Sequence, residues 1–441
     1  MARPMKSRAA LAAAAALALL LAWAAPSAAQ DAVDVAAVDF AATPGEQLQA
    51  DAPSSSQFVV VDVVHTNSRV NIKKAMATRT IKERSLQLTR EQVASLLAAS
   101  SAAPAADAPG VESAASYAPE SGGAVPLSQG ITGYSFADTR VSGNEFNSVL
   151  KPTGKVLMTF GGKRYMCSAS LIGKSLLVTA AHCVWDWDTK KNATDVVFVP
   201  NYDVATPSTN VEFKALKFMV PPSYTKRTDT CVTDALGVVC ANDVALVWLD
   251  LNNGKQAFQV AGNRYYNYLV NAFEATTAPA AGFAGVTVPK YLAITQLGYP
   301  YNWDSGRKMQ MSNSPGFQLN TAVGTKTVKS IVRGSSLQGG SSGGPWLINL
   351  GVDATSSNGG NYGSVSLRNA VVAVTSWGYE DDENGSYKFQ GASMFAINNE
   401  YPRSAYGTRG GGNIGALVDF ACDSAAGVAA GWGLQAKGFC R

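Results

Sequence analysis

Thr179-Ala180-Ala181-His182-Cys183, followed far downstream by Gly340-Ser341-Ser342-Gly343-Gly344-Pro345, decides the reading of this chain. The 441 residues contain only two histidines, His65 and His182, so any imidazole chemistry rests on one of them. Between the two stretches lies Asn242-Asp243-Val244-Ala245-Leu246. A serine hydroxyl keeps its proton at neutral pH and is a poor nucleophile, but a neutral imidazole can take that proton in the transition state. A buried carboxylate fixes the imidazole tautomer and stabilises the imidazolium that forms. Glycines beside the serine let the backbone turn tightly and offer N–H donors to an oxyanion, here from Gly340 and Ser342. His182, Asp243 and Ser342 are therefore candidates for an acyl-transfer site.

Chain order separates the folds that could carry this set. Gly340-x-Ser342-x-Gly344 also satisfies the nucleophile elbow of α/β-hydrolases, but that fold needs its histidine after the serine, and none follows Ser342. The subtilisin order puts the acid before the histidine, and His182 lacks the Gly-rich surroundings of that group. The order His182, Asp243, Ser342 resembles the chymotrypsin/trypsin-like serine endopeptidases, especially secreted bacterial members, over roughly residues 145–400. The resemblance implies two antiparallel six-stranded β-barrels with the catalytic groups in the cleft between them. It implies His182 as general base, Asp243 as orienting acid and Ser342 as nucleophile. Val374-Thr375-Ser376-Trp377-Gly378 looks like the family strand that pairs with substrate and walls the specificity pocket, and Gly391-Ala392-Ser393 looks like a further wall.

The chain departs from the family in three places. Trypsin-like members carry Asp just before the nucleophile, where it pairs with the new N-terminal ammonium; here the residue is the uncharged Ser341. Gln338 replaces the cysteine at the pocket entrance, and Ser336 stands at the pocket base. With no carboxylate at that position, Ser336 and Leu337 imply an uncharged pocket suited to apolar side chains.

From about residue 145 short strand-like runs follow one another, separated by Gly, Pro, Asn and Ser, without long helices between them. Lys155–Phe160, Val211–Val220, Asp243–Leu249, Phe317–Val323 and Ala392–Ile397 are examples. The expected fold is all-β, with a short C-terminal helical segment and, ahead of the barrels, a small α+β prosegment. Arg3, Lys6 and Arg8, the apolar run Ala9–Ala25 and Ser27-Ala28-Ala29 read as a secretory signal over residues 1–29. Residues 30–140 read as a propeptide. Its Ala/Ser/Pro-rich linkers flank a strand ending near His65 and helical spacing over Leu86–Leu97, and a cut at Arg140|Val141 leaves a protease domain over 141–441. His65 reads as a surface residue of the prosegment.

The closest rivals are Ser341 for Ser342, and Asp234 or Asp250 for Asp243. The apolar run Val244–Leu249 favours Asp243, and the following Gly-Gly-Pro favours Ser342. Six cysteines in an exported chain imply disulfides. The family supplies Cys167–Cys183, and locality favours Cys231–Cys240 and Cys422–Cys440, one of the fifteen pairings that six cysteines allow. Glu380-Asp381-Asp382-Glu383 suits a solvated loop better than Ca²⁺, and no Cys/His set has zinc spacing. No metal or cofactor is expected. A formal net charge of +4 is too weak to imply nucleic acid. The expected protein is a secreted monomer, extracellular or periplasmic and free of the membrane once its signal is removed, that hydrolyses protein or peptide substrates. A non-catalytic protease-like binding module and a serine esterase on the same fold are the competing readings.

Overall fold

The computed structural model describes residues 58–65, 136–141, 147–231, 240–273, 291–352, 367–378, 389–402 and 406–441. The expected signal, the helical spacing over Leu86–Leu97 and the acidic run Glu380–Glu383 lie outside these residues.

Among the described residues seventeen strands run in chain order: β1 Val59–Asp62, β2 Ala137–Arg140, β3 Thr153–Phe160, β4 Lys163–Leu171, β5 Leu176–Thr179, β6 Trp185–Asp186, β7 Lys191–Asn192, β8 Thr194–Pro200, β9 Phe213–Val220, β10 Ala245–Leu249, β11 Asn267–Tyr268, β12 Tyr291–Gly298, β13 Gln310–Val323, β14 Lys326–Gly334, β15 Pro345–Ile348, β16 Ala370–Gly378 and β17 Phe389–Met394. The ladder β9-β10-β5-β4-β3-β8 closes when β8 pairs with β9, giving a six-stranded antiparallel barrel. The ladder β16-β15-β12-β13-β14-β17 closes when β16 pairs with β17, giving a second. Closure pairs the strand edges within each ring, apart from stretches of β9 and β13 that β1 and β2 cover from outside. Outside the rings, β11 pairs parallel with β16, and β6 pairs with β7.

Inward-facing apolar residues fill each barrel. Val156, Val178, Phe198, Phe213, Phe218 and Val247 are fully buried in the first; Ile294, Ile331, Trp346, Val372 and Ala392 fill the second. The strands differ from the expected ones mainly at their starts. β13 begins at Gln310, not Phe317, because Pro315-Gly316 reads as a turn yet sits inside the ladder, with Pro315 opposite Ala293 and Gly316 opposite Arg333. A Cβ at Gly316 would lie 2.3 Å from Ile294 Cδ1, so the glycine is there for packing and not for a bend.

The chain ends in helices Gly412–Cys422 and Ala425–Ala429, and the Cys422–Cys440 disulfide closes the tail. Lys174 and Ser175 N–H groups donate to Cys440 O (2.8 Å) and Phe439 O (3.0 Å), docking the tail on the first barrel. The other disulfides are Cys167–Cys183 and Cys231–Cys240, so all six cysteines are paired sequentially. Among the described residues no helix is long and apolar enough to cross a membrane.

Residues 58–65 join the first barrel from outside. β1 pairs antiparallel with β9, Val59 opposite Val220 and Asp62 opposite Lys217. Phe58 stacks on Tyr401 at 5.8 Å and meets Phe420 edge-on at 5.2 Å. His65 is partly buried, its Nε2 bonded to Ala215 O at 2.8 Å, so it anchors the end of this strand. Phe58→Ala removes both aromatic contacts, which together hold about 2 kcal/mol. Amide hydrogen exchange along β1 is then expected to speed up roughly 30-fold while the barrel strands keep their protection.

Candidate active site

Asp243 precedes β10 and is 0% exposed. A buried carboxylate needs donors, and Asp243 has three. Oδ1 accepts the His182 backbone N–H (2.9 Å); Oδ2 accepts from His182 Nδ1 (2.8 Å) and from the Ser376 hydroxyl (2.5 Å). A carboxylate has no proton to give, so His182 carries its hydrogen on Nδ1, which leaves Nε2 as the basic nitrogen. His182 sits in the single 3-10 turn Ala181–Cys183 that follows β5, and Cys167–Cys183 ties that turn to β4. The phenol of Tyr224, fully buried, is held well above its ordinary pKa by burial, and the neighbouring Asp243 charge adds to this.

Ser342 lies in the loop between β14 and β15, and the second barrel delivers it to the first. The fully buried Ser168 of β4 grips this loop: its N–H donates to Ser342 O (2.7 Å) and its hydroxyl to Gly340 O (2.8 Å). Gly343, with φ of +74°, presses onto the first barrel; a Cβ there would lie 2.0 Å from Thr179 Oγ1 and 2.8 Å from Ala180 N. Those are the residues just ahead of Ala181-His182, so the candidate nucleophile and base share one junction between barrels. Gly339 O accepts the Tyr301 N–H at 2.7 Å. In a trans peptide C=O and N–H point opposite ways, so the Gly340 N–H is turned away from Tyr301. Gly340 itself has φ of +98°, and a Cβ would meet Tyr299 O at 2.6 Å.

Ser341, the close rival, is fully buried and committed to structure. Its hydroxyl donates to Gln338 O (2.7 Å) and accepts from Gln390 Nε2 (3.0 Å). Gln390 in turn meets Gln296, whose Oε1 accepts the Ser335 hydroxyl at 2.9 Å. Ser336 is bound by Asp138 of β2, which accepts its N–H at 3.3 Å and a short bond from its hydroxyl. Trp303 Nε1 donates to the same hydroxyl at 3.1 Å. Leu337, like Ser342, is 2% exposed. Trp377 is 4% exposed and lies flat on Gly391, where a Cβ would fall 1.9 Å from its ring. Gly378 ends β16 opposite Gln390.

Sequence reasoning misses Ser168, Asp138, Gln296 and Gln390, and it gives Ser376 a place in the pocket wall without its bond to Asp243. Ser168 adjoins Cys167 and carries no motif of its own. The clusters that bring Cys167 and Cys183 to His182, or Cys231 and Cys240 to Asp229, hold disulfide sulfurs, which are not thiolate ligands.

A cavity of about 320 Å³ beside Asn242 is lined by Lys226 and Asp229 of the first barrel and by Lys326, Asn398 and Glu400 of the second. Asn242, the residue before Asp243, is engaged all round. Its N–H and Nδ2 donate to Asp229 (2.8 and 3.1 Å), Nδ2 also donates to Glu400 (2.8 Å), and Oδ1 accepts from Asn398 (2.8 Å). Burial pushes the Asp229 carboxyl up to about 7, the Glu400 charge adding to this and the Asn242 donors opposing it. Burial raises Glu400 as well.

Residues 140–396, more than half the chain, match the trypsin family. No curated protein matches the chain in sequence. Among solved structures, similar ones include the thermostable serine protease AL20 from an extremophilic microorganism (19% identity, 56% of this chain and 93% of that one, TM-score 0.39). Others are the protease Anisep from Arthrobacter nicotinovorans (20%, 59% and 94%, TM-score 0.39) and a Glu endopeptidase (18%, 59% and 91%, TM-score 0.35). The chain belongs to the trypsin family. It is a serine-type endopeptidase, whose substrates are proteins or peptides.

Asp229 gives the fold a pH signature. In the unfolded chain this carboxyl ionises near its ordinary 3.8, while in the fold burial makes it keep its proton to about 7. Its contribution to stability is therefore complete below about pH 4 and lost as pH rises through about 7. Asp229→Asn cannot ionise, so the variant is expected to gain Tm relative to wild type as pH rises from 4 to 8. Calorimetry or circular dichroism melts across that range check this, and a constant difference between the two proteins contradicts it.

Proposed function

We propose that this chain is a secreted serine endopeptidase that cleaves peptide bonds through an acyl-enzyme, with His182, Asp243 and Ser342 as its catalytic residues. Ser342 Oγ attacks the scissile carbonyl while His182 Nε2 takes its proton; the same imidazole then gives that proton to the leaving amine. Water repeats the sequence to release the acid. Asp243 holds Nδ1–H and stabilises the imidazolium. The Gly340 and Ser342 N–H groups receive the oxyanion; one such donor is worth about 100- to 1000-fold in turnover. The observation that carries this reading is the paired bond from His182 to the wholly buried Asp243, with the Ser342 loop clamped to the same junction.

Ser336, Leu337, Ser376, Trp377 and Gly378 form the specificity side of the proposed site, and Ser336 supplies no charge to pair with a substrate side chain. The N-terminal signal-like run and the three disulfides support export. The stretch between signal and barrels acts as a prosegment, and the enzyme works as a monomer.

The test is labelling with a fluorophosphonate together with casein hydrolysis. Wild type is expected to label and to digest casein, and Ser342→Ala to do neither. A wild type that folds, fails to label and leaves casein intact points to the binding-module reading; labelling with cleavage of small esters alone points to the esterase. Ser376→Ala removes one donor from a buried charge and is expected to lower kcat about tenfold or more and to lower Tm by a few degrees.

A further inference from the structure

We infer that strand β2, Ala137–Arg140, is a permanent part of the working enzyme, that Asp138 is the positioning residue of the specificity-pocket loop, and that maturation cuts the chain before Ala137. The inference rests on the proposed site and goes beyond it, because it relocates the boundary of the mature protein.

Consider the bond between Arg140 and Val141. β2 pairs with β13 through Arg140–Gln310, Thr139–Met311, Asp138–Ser312 and Ala137–Asn313. The ladder runs past the bond, since the Val141 N–H donates to Met309 O at 3.0 Å. Arg140 is paired with Asp304 at 2.6 Å. A processing protease needs an extended, unpaired segment, and here both sides of the bond are already hydrogen-bonded into the second barrel. Cutting there would also sever the strand that carries Asp138.

Asp138 does work that the barrel cannot do alone. It accepts both donors of Ser336, the N–H and the hydroxyl, at the base of the pocket. Its other oxygen, Oδ1, is buried. Close by lies Arg333, 0% exposed, its guanidinium spent on Ser312 O, Ser312 Oγ and Gly334 O (2.8, 2.7 and 3.1 Å). A buried cation needs a counter-charge, and Asp138 is the acid that acts on it. The rest of the loop is held by neutral groups: Asn302 bonds Ser336 O and the Gln338 N–H, Tyr301 bonds Gly339 O, Ser168 bonds Gly340 O, and Gln390 bonds Ser341. Ser341 stands where a charged residue would capture a new N-terminus, and its hydroxyl is already satisfied within the loop. The pocket is thus organised by an internal strand and awaits no freshly cut ammonium.

Two measurements on the full-length secreted protein test this. N-terminal sequencing of the active, fluorophosphonate-labelled species is expected to find a start at or before Ala137; an active species starting at Val141 or later overturns the inference. The second compares Asp138→Ala, Asp138→Asn and the control Thr139→Ala. A fluorophosphonate carries no substrate side chain, so its labelling rate is expected to stay within about threefold in Asp138→Ala, whereas peptide cleavage falls about tenfold or more, chiefly through KM. Asp138→Asn keeps an acceptor for Ser336 and is expected to recover part of the loss; Thr139→Ala is expected to match wild type. Peptide cleavage by Asp138→Ala at the wild-type KM overturns the positioning role. If Asp138→Ala does not fold, Asp138→Asn and the sequencing still decide. A wild type that never labels counts against the serine peptidase reading instead, and sequencing of the total secreted protein then judges the strand.

Discussion

One buried residue joins the two barrels at the point where chemistry is proposed. Ser168 offers its N–H to Ser342 O and its hydroxyl to Gly340 O, receives the Tyr299 N–H, and gives its carbonyl to Thr179. All four bonds lie in a dry interior, where geometry is demanding and an unmet polar group costs about 1–3 kcal/mol. The hydroxyl cannot be removed without stranding both a carbonyl and an N–H. The loop that carries Ser342 is therefore fixed by the first barrel, although its chain belongs to the second. The reverse link runs from Ser376 of β16 to Asp243 of the first barrel. Each barrel holds a piece of the other's contribution, so the cleft keeps its geometry only while both are folded.

The polar groups around this junction are mostly neutral. Gln296, Gln390, Ser335 and Ser341 form a connected set beneath the loop, and Asn242 spreads its bonds over Asp229, Glu400 and Asn398. Neutral networks avoid the large desolvation cost of buried ions. Charges are buried there too: Asp243 beside His182, and Arg333, whose guanidinium burial draws down to about 9 while the Asp138 charge opposes this.

Much of this was legible in the sequence, and for identifiable reasons. The His182-Cys183 turn, the Asp243 run and the Gly-rich serine loop are local patterns, and their order along the chain excludes other folds. The strands around Val247 and Val372 follow short continuous apolar runs bounded by polar residues, which read as buried strands. Three kinds of feature were not legible. β2 reads Ala-Asp-Thr-Arg, with no apolar alternation, and is a strand only because β13 offers it a partner. β13 itself hides its first half behind Pro315-Gly316. The partners of Ser336, Ser376 and Ser168 lie far away along the chain, and a lone serine or aspartate gives no sign of which distant group it will meet. The proposed pocket shows this most: Ser336 carries no charge, and the carboxylate that bonds it arrives from a strand that the sequence reading places in the propeptide.

β8 pairs only with the first part of β9, at Phe213 and Lys214, and the stretch Lys217–Val220 is covered on that flank by β1. Were the prosegment shed completely, four residues of bare ladder would face the solvent, a template that any extended chain could extend. A second copy of the enzyme, or its own discarded leader, would find a ready docking rail there. Whether that edge stays covered thus depends on what becomes of the eight residues 58–65.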